Sequence, residues 1–339
     1  GAVAAILLAA GFTGLFFPMS KDAQGLLVWA SALLVVTYAA YSAVSVAHQS
    51  WGAMLGGDEA QRSRIVAWRE GLGLLGVLMA SMAPVVLGLP ATVALFGVAL
   101  VAGWLAWTRA ARPRTSPTFK THALGLPFER PAFRRLLLVF MLNGIASAIP
   151  ATLILFFVQD RLQVPQAMEP VFLGSYFLCA ALAIPLWLRV VARIGLARTW
   201  GAGMVLSVLV FVFATQLGAG DAAGFVAVCA LSGVALGTDL ALPAALLAGV
   251  IQDSGDRGRS EGSYFGWWNF ATKLNLALAA GLSLPLLDAF GYSPGVRSEA
   301  ALQALVTAYC VVPCALKLAA LAALYILIIR PGRQPAFTA

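Results

Sequence analysis

Charge is what this sequence has little of: Asp, Glu, Lys and Arg make up 11% of its 339 residues, against roughly 25% in an average soluble protein. With 61% hydrophobic residues beside that shortage, a soluble globule is excluded, because too few polar groups remain to cover it. Histidine is nearly absent. His48 and His122 are the only two, and neither sits in a Ser, Cys or carboxylate arrangement of the kind that catalysis uses, so an enzyme is not expected. Cysteine is confined to Cys179, Cys229, Cys310 and Cys314, all inside apolar runs, with no CxxC pair to begin a metal site. These four are read as small core residues. Short alternating apolar and polar segments, the mark of a membrane barrel, are missing too.

Long apolar runs are there instead, near residues 1–17, 26–47, 65–89, 91–107, 136–158, 171–191, 200–217, 222–250, 264–287 and 301–329. A helix needs about 20 apolar residues to cross the hydrocarbon of a bilayer. The expected fold is therefore all-α, a polytopic transmembrane helix bundle with ten visible spans. Of the 22 Lys and Arg residues, 16 fall in one alternate set of loops, three (Lys21, Arg161, Arg297) in the opposite set, and three (Arg69, Lys273, Lys317) inside spans. The rich set is cytoplasmic by the positive-inside rule. The net charge of +8 is thereby a topology signal, and no nucleic-acid partner is expected.

The most basic loop, residues 109–135, also carries Pro113, Pro117, Pro127 and Pro131, the composition of a linker rather than a helix. It divides the chain into an N-terminal bundle (1–108), a cytoplasmic linker (109–135) and a C-terminal six-helix bundle (136–339). A weak repeat relates the two bundles. Asp58, Arg62 and Arg64 lead into the span with Arg69, and Asp253, Arg257 and Arg259 lead into the span with Lys273.

Charged groups inside spans cost at least about 2.5 kcal/mol each at the bilayer centre, so they are functional candidates by default. Arg69, Glu70, Asp239, Lys273 and Lys317 are such groups. The competing explanation is an internal pair that fixes helix contacts or, for Arg69, a side chain reaching to the headgroups. Asp239 and Lys273 each lie 11 residues inward from the cytoplasmic span ends at 250 and 262, a depth of about 16 Å, which predicts that they pair. Tyr41, Trp51, Trp267 and Trp268 are candidate stacking surfaces for a sugar or another amphipathic solute. Gly71, Gly73 and Gly76 spell GxGxxG inside an apolar helix with no preceding strand, which reads as close helix packing and not as a dinucleotide site.

Two stretches resemble the glycoside, pentoside and hexuronide cation symporters, the melibiose permease branch of the major facilitator superfamily. One runs from Tyr41 through His48, Trp51, Asp58 and Arg62 to Arg69 and Glu70; the other is DSGDRGRSEGSYFGWWNFATK over residues 253–273, continuing to Gly291 and Tyr292. The resemblance covers essentially the whole chain, beginning at the family's third helix. It implies twelve spans in two six-helix halves, the first two spans lying upstream of Gly1. By the same match Arg69 and Lys273 stand where the family has its intramembrane cations for sugar and ion binding. Ser45 stands in place of the fourth helix's carboxylate, and Ala47 where proline is usual. Asp239, in GTDLALP, is the candidate substitute carboxylate.

The implied function is secondary active transport of a small solute, sugar- or glycoside-like, coupled to a cation or proton by alternating access. An exporter, a lysolipid transporter or a non-transporting scaffold is the alternative. The site residues expected to bind substrate or ion are Arg69, Lys273, Asp239, Ser45, Tyr41, Trp268, Glu70 and Lys317. No cofactor is expected beyond Na+ or H+ as coupling ion; the partners are the solute and the lipid bilayer, with the protein a monomer in the bacterial inner membrane. The charge asymmetry predicts that cysteines placed at Ser293 and Ser116 of the full-length protein behave oppositely in intact cells: an impermeant thiol reagent labels position 293 and spares 116. The converse pattern would invert the topology.

Overall fold

The computed structural model describes residues 2–19, 22–110 and 124–331. Lys21, Ser116, His122, Arg333 and the central part of the basic linker lie outside them. In chain order the helices are α1 (Ala2–Phe16), α2 (Ala23–Met54), α3 (Glu59–Leu87), α4 (Leu89–Arg109), the short α5 (Leu126–Glu129), α6 (Pro131–Phe156), α7 (Glu169–Ile194), α8 (Leu196–Ala214), α9 (Ala222–Asp253), α10 (Glu261–Ala289), α11 (Glu299–Val306) and α12 (Val312–Leu324). Nine helical segments among the described residues are long and apolar enough to cross a membrane, and Ala2–Phe16 is apolar but shorter. Each coincides with one of the ten apolar runs.

Local chemistry sets the helix ends. Asp22 caps α2 by accepting from the Gly25 N–H at 2.7 Å, and Asp58 accepts from the Gln61 N–H at 2.8 Å at the start of α3; each satisfies a donor that the first helical turn leaves open. Gly195 turns α7 into α8 at φ 80, a left-handed conformation that other residues adopt at a cost. The run over 301–329 is not one uniform helix. A wider π turn, Thr307–Val311, separates α11 from α12, just before Pro313, whose missing N–H and ring clash with a regular i−4 bond.

Two compact units result. Unit 1 comprises Gly1–Leu55, Leu75–Thr121 and Asp256–Asn269; unit 2 comprises Gly56–Leu74, His122–Gly255 and Phe270–Ala339. Each unit is assembled from separate stretches of the chain, with Asp256–Asn269 in unit 1 and Gly56–Leu74 in unit 2. Both segments carry an arginine of the sequence repeat, Arg62 and Arg257. Within unit 2 Arg62 donates to Gln252 in the last turn of α9 at 3.4 Å. Within unit 1 Arg257 donates to the Met54 and Leu55 carbonyls at the end of α2, at 3.1 and 3.2 Å. Arg257 thus bonds carbonyls that a helix C-terminus leaves unpaired, whereas Arg62 bonds the side-chain Oε1 of Gln252 near such an end, where the helix carries partial negative charge.

In unit 1, α1 packs on α2 and α4, with Trp29 donating to the Gly14 carbonyl at 2.8 Å and Phe12 against Phe96 at 4.3 Å between ring centres. Unit 2 has the larger core, in which Phe157 stacks on Tyr309 at 4.2 Å and Phe225 meets Phe172 edge-on. Small residues let its helices touch: a Cβ on Gly233 would strike the Tyr176 carbonyl of α7, and one on Gly203 would strike Thr238 of α9. Beyond the end of α6, buried Asp160 accepts from the Tyr292 hydroxyl and from the Gly295 N–H, and Arg297 pairs with it at 3.7 Å. Burial, and then the bond and charge of Asp160, push the Tyr292 phenol well above its ordinary value.

The glycines of the α3 motif make little close contact among the described residues. A Cβ on Gly71 would make one ordinary contact, with Ile184, and on Gly73 or Gly76 it would meet nothing within 4 Å. Among the described residues these glycines bring no neighbouring helix closer than ordinary contact.

Candidate functional site

Four helices of unit 2 converge on one carboxylate. Asp239 projects from the middle of α9, and its Oδ2 accepts from Lys317 Nζ of α12 at 2.7 Å and from the Ser147 hydroxyl of α6 at 3.2 Å. Its Oδ1 accepts from Asn143 Nδ2 of α6 and from the Trp200 indole of α8, both at 2.9 Å. The ring closes through Asn143, whose Oδ1 accepts from Lys317 Nζ at 2.8 Å. A carboxylate has about four lone-pair positions, and all four here face donors.

The sequence builds this geometry from small residues and spacing. Asn143 and Ser147 are four apart on α6 and so share a face. Gly203 lets α8 approach Thr238 of α9, and Gly201 lets it approach Leu321 of α12; Trp200, fully buried beside them, can then reach Asp239. The side chains of Lys317 and Asp239 are 6% and 14% exposed. At such burial an unpaired charge would be costly, and removing one partner of a hydrogen-bonded buried pair typically costs about 3–5 kcal/mol.

The pair forms one wall of a cavity of about 280 Å³ within unit 2. Pro150, Phe177, Phe211 and Pro313 supply apolar surface, while Ser147, Tyr176, Ser207 and Ser232 supply hydroxyl groups. A lining mostly apolar with a few convergent polar groups is the usual make-up of a small-molecule site.

The other expected residues are distributed differently. Depth alone predicted that Asp239 would pair with Lys273, but its ion partner is Lys317. Equal depth leaves open which faces meet, and packing of α12 on α6 and α8 decides it. Lys273, on α10, is half-buried and has contacts of its own. Arg69 and Glu70 pair with each other at 2.7 Å, both partly buried. Ser45, Tyr41 and Trp268 belong to unit 1: Ser45 accepts from Gln49 at 3.1 Å, Tyr41 is exposed and Trp268 is buried. Asn143, Ser147, Trp200 and Tyr176 were not singled out from sequence. For Asn143 a signal existed, since it is the one strongly polar side chain between Leu136 and Ala146.

A polytopic helix bundle with a buried paired charge on the wall of a cavity has the architecture of a membrane transporter. Residues 2–330 match the family described as MFS/sugar transport protein, and the chain belongs to that family. It is thus a multi-pass membrane protein of a transporter family, not one of enzymes. Solved structures share the fold. A bacterial homologue of the iron transporter ferroportin, in an outward-facing state, is 16% identical, with 96% of this chain and 80% of that one covered at a TM-score of 0.67. The E. coli fucose:proton symporter is 14% identical, with coverages of 94% and 82% and a TM-score of 0.67. None of the curated proteins matches the chain.

If the ion pair is held as described, Lys317→Met alone should lower the unfolding free energy in detergent by about 3–5 kcal/mol, because it strands a buried carboxylate. Adding Asp239→Asn should recover most of that loss. Additive losses in the double variant would mean that the two residues do not act as a pair.

Proposed function

We propose that this protein is a secondary transporter of a small solute, sugar- or glycoside-like, coupled to a cation or proton and working by alternating access. The observation that carries this reading is the buried Asp239–Lys317 pair on the wall of the unit 2 cavity, in a chain of the MFS/sugar transport family. Apolar faces beside hydroxyl groups suit a sugar ring, which presents both kinds of surface. The fucose:proton symporter shares the fold and is in keeping with this reading. The ferroportin homologue shares it as well, so the fold by itself does not select a cargo. Among the described residues no group of three His, Cys, Asp or Glu could hold a metal ion.

Within the superfamily we place the chain in the melibiose permease branch, on the strength of its 253–273 stretch and of Arg69 and Lys273. Its site is the bacterial inner membrane and it acts as a monomer. A second reading, export of an amphipathic solute such as a lysolipid, draws on Pro150, Phe177, Phe211 and Pro313 in the cavity wall.

Proteoliposomes of the full-length protein should accumulate at least one member of a panel of radiolabelled monosaccharides and glycosides under an imposed Na+ or H+ gradient, and should lose that accumulation when the gradient is collapsed. Movement of a fluorescent lysolipid with no sugar uptake would favour the second reading, and accumulation of neither would overturn both.

A further inference from the structure

We infer that the loop between α10 and α11, residues 290–297, is a strap that Asp160 holds shut and that the cavity wall releases through Tyr309. The inference rests on the transport reading of that cavity for the strap's purpose, a gate beyond the end of α6 that yields to an arriving solute.

The strap's bonds converge on one place. From residue 288 to residue 300 every side chain is exposed except that of Tyr292, whose ring meets Phe156 edge-on. The Tyr292 hydroxyl donates to Asp160 Oδ2, the Gly295 N–H donates to the same atom at 3.0 Å, and the Arg297 guanidinium lies 3.7 Å from Oδ1. Arg297 also donates to the Gln159 carbonyl at 3.2 Å. One carboxylate and the peptide beside it therefore gather the loop.

Asp160 stands on a π turn, Phe157–Arg161, which Phe157 opens. Fully buried, Phe157 lies face to face with Tyr309, the ring planes 16° apart. Tyr309 is the centre of the second π turn, Thr307–Val311, and it lines the cavity. Two wide turns thus meet ring to ring, one facing the cavity and the other carrying the anchor of the strap. Turns of this kind recur at functional sites, and shifting one by a single residue rotates its side chains by about 100°, the angle per residue of a helix. Such a shift takes the Asp160 carboxylate away from both donors.

Packing makes the link stiff, and hydration makes it reversible. A ring with a cavity on one side and a buried ring on the other passes a displacement on, because a close-packed interior has little slack to absorb it. A solute seated against Tyr309 therefore presses on Phe157 and, through the turn, on Asp160. A carboxylate stripped of its donors in a dry interior would be costly, but 52% of the Arg297 side chain is open to solvent, so release lets water reach both charges. Held and released states then differ by a few hydrogen bonds exchanged for water, a gap small enough for a ligand to tip.

Hydrogen exchange read by mass spectrometry on the purified full-length protein tests this. Without any solute, Asp160→Ala, or Tyr292→Phe if that variant does not fold, should speed exchange across residues 288–298 by about tenfold, the effect of losing a buried hydrogen bond. Tyr309→Leu, which removes the stacked ring but none of the strap's bonds, should do the same while residues 240–253 of α9 keep wild-type exchange. Tyr309→Phe, which keeps the ring, should match the wild type, and Phe157→Leu replaces Tyr309→Leu if the latter does not fold. Wild-type exchange across 288–298 in the anchor variant or in the leucine variant, a rise shared equally by 240–253, or a Tyr309→Phe protein that behaves as Tyr309→Leu does would each overturn the inference. In the wild type, any monosaccharide or glycoside of the uptake panel that is accumulated should likewise speed exchange across 288–298; an accumulated solute that leaves it unchanged would overturn the inference and leave the transport reading intact. The expected exchange pattern without uptake of any panel solute would leave the link between Tyr309 and the strap standing and remove the transport reading.

Discussion

A carboxylate and an ammonium held 2.7 Å apart, with little access to water, are the constraint on which unit 2 depends. Neither charge is tolerable there alone, so the helices that carry them must be fixed to a fraction of an ångström. The small residues do this: Gly233 seats α9 on α7, and Gly201 and Gly203 bring α8 in beside α12 and α9. The π turn of Thr307–Val311 absorbs the backbone conflict before Pro313, one turn ahead of Lys317. Wider turns of this kind often accompany functional positions.

The two arginines of the repeat show the same physics used twice. Arg62 and Arg257 occupy equivalent places in the sequence, and each lies at a helix C-terminus within its own compact unit, Arg62 on the Gln252 side chain and Arg257 on two carbonyls. A shared sequence pattern is thereby converted into a shared electrostatic role. The exchanged segments Gly56–Leu74 and Asp256–Asn269 are where covalent order and contact order part, and the linker composition of residues 109–135 gave no sign of it.

Much of the fold was legible because the bilayer imposes it. Hydrocarbon thickness sets span length, which is why each apolar run became a helix, with ends displaced by a few residues where polar turns such as Glu59–Ser63 continued the helix into the loop. Asp239 and Lys317 were legible as candidates for the same reason, since charge in a span demands an explanation. Their partnership was not. Depth can be counted along a sequence, but the face that a helix turns to its neighbours depends on packing, and so Lys273 was expected where Lys317 stands. Asn143, Ser147 and Trp200 were hidden for a related reason: single polar or aromatic groups in a span gain meaning only when other helices bring them to one atom. Gly71, Gly73 and Gly76 make the opposite case, a legible motif that shows no closer than ordinary contact among the described residues.

If Asp239 is the group at which ion and solute movement are linked, neutralising it should uncouple the two and not merely weaken both. The most direct measurement compares gradient-driven accumulation with solute exchange at equal concentrations, in proteoliposomes of the full-length wild type and of Asp239→Asn. The account predicts that the variant exchanges solute and fails to accumulate it; accumulation equal to that of the wild type would contradict it.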